Sequence, residues 1–129
     1  METLADKLQV DLKPKRKVLI IIDADPRTNP RAAEAVRLAG GVCVWEQVEV
    51  SVVLHHAAAH ALSEAAADLP DSKMYKQFLP MVREKGGRVY VMPDEKTMEA
   101  LDAEVILKNH LKEPALAKLT AEAEMVMRF

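Results

Sequence analysis

The stretch Val18–Ile22, which reads VLIII, is an unbroken run of aliphatic and mostly β-branched residues. A run without polar alternation is typical of a strand buried on both faces, as in the centre of a parallel sheet. A second candidate strand, Val48–Leu54, follows later in the chain. Between them, Asn29 and Pro30 favour a helix start, because Asn is a good cap and Pro fits the first helical position. This order predicts a right-handed βαβ unit.

The remainder of the chain continues the alternation of strands and helices. We expect helices at about 30–39, 57–67, 75–82, 95–101 and from 113 onward, and further strands at Arg88–Met92, Glu104–Leu107 and Met125–Phe129. Gly40 and Gly41 should end the first helix, and Pro80 should kink or split the third. The prediction is a three-layer α/β sandwich with a mostly parallel five-stranded sheet. It forms a single domain over residues 1–129, of which 1–16 are an N-terminal extension.

The composition of the chain narrows the classes of function. Its 129 residues fit one domain with an adequate core. A net charge of −2 and an aromatic content of 4% argue against a nucleic-acid-binding surface. The single cysteine, Cys43, excludes an internal disulfide and suits a reducing compartment. With neither a signal-peptide pattern nor an apolar run of membrane-spanning length, we expect a cytoplasmic protein without nucleic-acid or membrane partners.

Polar side chains follow three of the predicted strands. In open parallel sheets, ligands bind beyond the carboxyl ends of the strands, so these side chains should share one rim. The candidate ligand-binding residues are Asp23, Asp25, Arg27, His55, His56, Met92 and Asp94. The loop DADPRTNP after the first strand has no glycine, which excludes a dinucleotide fingerprint and a P-loop.

Three of the four histidines lie close together, at positions 55, 56 and 60. His56 and His60 would share a helix face and could chelate a metal together with His55 or Asp23. No HExxH pattern or cysteine pair accompanies them, and we favour a structural role at a junction between strand and helix. A third interpretation is an anion site. Protonated His55 and His56, assisted by Arg27, would attract an anion between about pH 5 and 7, since free imidazole titrates near 6.5.

Several stretches resemble the DsrE/DsrF-like family. Lys17–Ile22, followed by Asp25-Pro26 and then by Arg31–Ala39 (RAAEAVRLA), is similar to the opening of that family. Leu116–Phe129 is similar to its closing helix and edge strand. The resemblance spans about Lys17 to Phe129. It implies a flavodoxin-like or Rossmann-like sandwich, a cytoplasmic homo-oligomer and kinship with proteins of intracellular sulfur relay.

The resemblance also implies where a sulfur-accepting thiol would lie. Active members carry a cysteine at the carboxyl end of the third main strand, where it accepts sulfane sulfur as a persulfide and passes it to a partner. The matching stretch, Val89–Asp94 (VYVMPD), contains no thiol. Cys43 follows the first helix at the opposite edge, and we expect it to be buried and structural.

These observations lead to two hypotheses of function and to a third possibility, a regulatory partner-binding subunit that would co-purify with a specific protein. The first is a DsrE-like accessory or binding protein of sulfur relay, with a sulfur-relay partner, that is not itself a persulfide carrier. The second is a metal-binding protein, an anion-binding protein or an enzyme that uses the His/Asp rim. The sequence identifies neither a cofactor nor a catalytic residue, and it leaves open whether the protein is an enzyme.

Overall fold

The central apolar run forms β1 (Arg16–Ile22) in the computed structural model, which describes residues 15–129. β1 pairs with β2 (Val48–His55) on one side and with β4 (Met125–Arg128) on the other. β3 (Arg88–Met92) pairs with the far side of β2, so the strand order is β3-β2-β1-β4. All three pairings are parallel. Most of the predicted N-terminal extension lies outside the described residues.

Helical segments connect these strands. In chain order they are α1 (Arg31–Cys43), two 3₁₀ segments (His56–Leu62 and Glu64–Asp68), α2 (Ser72–Glu84), α3 (Glu95–Glu99), α4 (Ala103–Asn109) and α5 (Glu113–Glu122). α1 begins as predicted, because Asn29 Oδ1 accepts a hydrogen bond of 3.0 Å from the backbone N–H of Arg31.

The core lies on both faces of the sheet. Ile20 and Ile22 face the larger cluster, which includes buried residues of α1 and α2. Leu19 and Ile21 face a smaller cluster, which is covered in part by α5. This burial on both faces explains why the run lacks polar alternation. The α/β sandwich with a parallel sheet is therefore confirmed.

The predicted strand at Glu104–Leu107 is wrong, and the sheet has four strands over the described residues instead of five. This stretch is the helix α4. Val105 and Ile106 are partly buried against the core, whereas Leu107 is 85% exposed. A central strand would bury all three side chains, but a surface helix buries only one side. A short apolar run fits both structures, so periodicity alone could not decide.

The predicted α-helix at about 57–67 is also wrong in type. Two consecutive 3₁₀ segments occupy this region, and Ser63 separates them in an extended conformation. The Ser63 hydroxyl donates a hydrogen bond of 2.8 Å to the carbonyl of His60. Small side chains let this irregular segment approach the core closely, and Ala58, Ala59 and Ala61 are buried there.

Two predicted helix breaks are absent. α1 continues through Gly40 and Gly41 to Cys43. A Cβ added at Gly40 would lie 2.2 Å from Phe78 Cδ1, so this glycine permits the close packing of α1 on α2. Pro80 lies inside α2 and does not split it, since the helix runs from Ser72 to Glu84.

Candidate functional site

The carboxyl ends of the first three strands meet at one edge of the sheet. Ile22 lies opposite Leu54, and His55 lies opposite Met92. This register brings Asp23 beside His55, although 32 positions separate them in the chain. Their Oδ1 and Nδ1 atoms are 2.6 Å apart. The contact occupies Nδ1 and leaves Nε2 as the nitrogen of the His55 ring that a ligand can use.

Arg128 contacts the same carboxylate from β4. Its Nε lies 2.5 Å from Asp23 Oδ2. Burial by itself would raise the pKa of Asp23, but hydrogen bonds from Arg128 and His55 outweigh it, and the pKa is lowered. Asp23 is therefore an ionised group that links three strands. The sequence analysis missed Arg128, because only the edge position of β4 brings it to this rim.

His56 has an unusual backbone conformation. Its φ is 54°, in the left-handed region that residues other than glycine seldom adopt. Its ring stacks on that of His55, with centroids 3.8 Å apart and planes inclined by 21°. The chain turns sharply here from β2 into the first 3₁₀ segment, and both imidazoles remain at the strand end.

An open pocket of about 300 Å³ lies beside these imidazoles. One side is formed by His55, His56, Met92 and Pro93, and the other side by the segment His110–Glu113. The backbone N–H of Leu111 donates a hydrogen bond of 3.0 Å to the carbonyl of Val91 on β3. The sequence analysis missed this second side. It comes after the helix that we predicted as a strand, and the lone His110 there belongs to no motif.

The remaining predicted residues, Asp25, Arg27 and Asp94, make their hydrogen bonds apart from the contact between Asp23 and His55. The Arg27 guanidinium donates to both oxygens of the Asp25 carboxylate, Nε–Oδ1 at 3.0 Å and Nη2–Oδ2 at 2.9 Å, and the Arg27 backbone N–H donates to Oδ1 at 2.9 Å. The hydrogen bond from Arg27 lowers the pKa of Asp25. Asp94 caps α3 by accepting a hydrogen bond of 2.8 Å from the N–H of Thr97. Both carboxylates are thus engaged in local structure.

His60 belongs with these residues and not with His55. Its pKa is lowered by burial and by the charge of Arg27, while Asp25 and Asp94 act in the opposite direction. The predicted metal set of Asp23, His55, His56 and His60 is therefore not brought together. Within residues 15–129, no three His, Cys, Asp or Glu side chains have an arrangement that could hold a metal ion.

Cys43 lies far from the rim, at the end of α1. It is 4% exposed, and its Sγ donates a hydrogen bond of 3.1 Å to the carbonyl of Gly40. Burial raises the pKa of its thiol. The prediction of a buried thiol that does not face the strand ends is confirmed.

The fold and the rim define a class: an α/β protein with a parallel sheet and a histidine-lined pocket at the strand ends. The model of the DsrE/DsrF-like family matches residues 16–127, nearly the whole chain. The chain therefore belongs to the DsrE/DsrF-like family, as the resemblance implied.

A solved structure supports the assignment of the fold. The chain is similar to the crystal structure of the YchN protein from E. coli, with a TM-score of 0.63 and 16% sequence identity. The similarity covers 89% of this chain and 99% of that chain. A comparison with curated proteins gives no match. Over residues 15–129, no helix is both long enough and apolar enough to cross a bilayer.

Proposed function

We propose that this protein is an accessory or binding protein of intracellular sulfur relay that does not itself carry a persulfide. Membership of the DsrE/DsrF-like family supports the link to sulfur relay. One observation carries the rest of the proposal. The end of β3, where active members have their cysteine, carries Met92 and Pro93, while the only thiol is buried at the end of α1.

The chemistry of persulfide formation supports this assignment. A thiolate must attack the outer sulfur of a sulfane donor, and the donor then leaves with the electron pair. The Met92 thioether has no ionisable proton and cannot become a thiolate. Cys43 could, but burial raises the pKa of its thiol and limits the access of a donor.

Intact-mass spectrometry after incubation with inorganic polysulfide tests the proposal. We expect the folded wild-type protein to gain no sulfur atom. The double variant C43A/M92C carries its only thiol at the end of β3. Position 92 is 8% exposed but lines the open pocket, so this variant should gain one sulfur atom. The single variant C43A controls for sulfur bound elsewhere. A wild-type protein that gains a sulfur atom on Cys43 as readily as the double variant would overturn the proposal.

We also propose that the protein forms a homo-oligomer in the cytoplasm. The free, buried Cys43 suits a reducing compartment. Apolar side chains beside the edge strand β4 support contact between subunits: Trp45 is 65% exposed and Met125 is 54% exposed, and both line one groove.

In sedimentation analysis, M125K should shift the wild-type oligomer toward monomer, and M98K on α3 is the control. A wild-type monomer at all concentrations contradicts this proposal.

A second candidate function is ligand binding or catalysis at the rim. The hydrogen bond between Asp23 and His55 favours it, because a carboxylate on one ring nitrogen fixes the imidazole and presents the other nitrogen. Metal analysis of the purified protein, followed by zinc titration, tests the metal-binding version. A stoichiometric ion that is lost in H56A would support it, and its absence would leave ligands other than metals.

A further inference from the structure

We propose that the pocket between the ends of β2 and β3 and the segment His110–Glu113 binds a small oxyanion. His56, His110 and Lys112 would supply the hydrogen-bond donors. This inference rests on the binding role proposed above and names the class of ligand. It does not depend on whether the protein carries sulfur.

Both sides of the pocket are held by the sheet. On one side, His55 belongs to β2 and its ring is fixed by Asp23. On the other side, His110 forms an isolated parallel bridge with Val91, and Leu111 is buried beneath the segment. A site with such backbone anchors needs little ordering when a ligand binds, and this limits the entropic cost of binding.

The polar groups of the pocket are mostly donors or cations. Three imidazoles and the Lys112 ammonium line the pocket with one carboxylate, that of Glu113. Asp94 lies outside this lining but close enough to His56 for their charges to interact. The charge of Asp23, behind His55, is offset by Arg128. Among the ion pairs of residues 15–129, none involves Lys112. An anion would therefore find donors that are not already engaged with a carboxylate.

The apolar lining of the pocket and the backbone conformation of His56 also support an anion site. Met92, Pro93 and Leu111 provide an apolar surface beside the donors, where charge interactions are stronger than in open water. His56 is held in a left-handed conformation at the pocket. Strained residues of this kind concentrate at functional sites. A volume of about 300 Å³ suits a small ligand, at the lower end of the sizes of small-molecule sites.

NMR titration with inorganic sulfate provides the test. The imidazole signals of the full-length protein are followed at constant ionic strength, with chloride as the balancing ion, and phosphate and acetate are titrated separately. We expect the signals of His56 and His110 to shift and saturate together, while those of His60 stay unchanged. Saturation by sulfate or phosphate but not acetate would assign a tetrahedral oxyanion, and saturation by acetate would assign a carboxylate.

Single substitutions then locate the site. H110Q and K112Q should each weaken sulfate binding at least fivefold. Both residues are exposed, so the folded structure should tolerate these changes. K118Q, an exposed lysine further along α5, is the matched control and should leave binding unchanged.

Three results would overturn the inference: shifts that do not saturate, equal weakening by K112Q and K118Q, or equal responses of all four histidines. Any of these would indicate nonspecific charge screening. None of them would change the mass of the polysulfide-treated protein, so failure here is distinct from failure of the proposed function.

Discussion

His55 Nδ1 lies 2.6 Å from Asp23 Oδ1, and this contact joins the carboxyl ends of the adjacent parallel strands β1 and β2. Arg128 of β4 holds the other oxygen of the same carboxylate. One ionised group therefore connects three of the four strands at the rim. We expect the charge of Asp23 to affect both the free energy of unfolding and the orientation of the His55 ring.

D23N should destabilise the protein by about 1 kcal/mol at pH 7. The expected loss of stability is small because the carboxylate and Arg128 are partly solvent-exposed. The pKa of Asp23 is lowered in the folded state, so ionised Asp23 stabilises the protein above its unfolded pKa of about 3.9. That stabilisation is lost as the pH falls through the folded pKa. The difference between wild type and D23N should thus shrink steadily below about pH 5.

Urea unfolding at pH values from 7 to 3 measures this difference. D68N, which changes an exposed carboxylate in the second 3₁₀ segment, is the control and should have little effect at any pH. A difference between wild type and D23N that does not vary with pH would show that Asp23 stabilises the fold through its shape and not through its charge.

The two adjacent glycines of α1 should respond to alanine with opposite signs. A Cβ at Gly40 would lie 2.2 Å from Phe78 Cδ1 and 3.0 Å from Phe78 Cβ, so G40A forces α1 and α2 apart. We expect it to cost about 1–3 kcal/mol. Nothing lies within 4 Å of a Cβ at Gly41, and G41A should stabilise the helix by about 0.5–1 kcal/mol.

Urea unfolding of both variants checks this pair. G40A should cost less stability in an F78A background than in the wild type, since F78A removes the ring that meets the new methyl group. Destabilisation by both single alanines would contradict the exposed position of Gly41.

Neighbouring apolar residues of α4 should differ in their tolerance of a polar substitution. Leu107 is 85% exposed, and L107Q should change the free energy of unfolding by less than about 0.5 kcal/mol. Ile106 packs against the core, and I106Q should cost about 1–2 kcal/mol. Chemical denaturation of the two variants distinguishes the cases, because a buried central strand in this stretch would make both substitutions costly.

Cys43 should react slowly with a thiol reagent in the folded protein. Burial raises the pKa of its thiol and shields its sulfur. We expect the rate of reaction with an aromatic disulfide to rise at least tenfold when the protein is unfolded in urea.

The matched control for this rate is C43A/V44C, which moves the thiol by one position to a half-exposed site. This variant should react at a similar rate with and without urea. If wild type and C43A/V44C react equally fast in the folded state, Cys43 is accessible and our view of it as a structural thiol fails.

The four strands of the sheet could be predicted because each is an apolar run bounded by turn or capping residues. Val18–Ile22 is the clearest case, since burial on both faces requires apolar residues at every position. Glu104–Leu107 could not be assigned in the same way. Its three apolar residues fit a buried strand or the buried side of a helix equally well. Only their packing against the core distinguishes the two structures.

The rim was predictable, but the pairing within it was not. The carboxyl ends of parallel strands must share an edge, and this placed Asp23, His55 and Met92 together. Which carboxylate binds which base depends on register and side-chain direction. The Asp25 carboxylate is hydrogen-bonded to Arg27, two positions away. The Asp23 carboxylate is instead hydrogen-bonded to His55 and to the distant Arg128.

The amino-acid sequence was enough to predict the four strands, their parallel arrangement and the lack of a thiol at the end of β3, but not the helix at Glu104–Leu107. These properties follow from residue type and local spacing, through the burial of apolar runs and the chemistry of caps. It is the tertiary packing that brings His110 and Lys112 to the pocket and places Phe78 against Gly40. Those contacts join residues far apart in the chain, and they form only after the helices pack on the sheet.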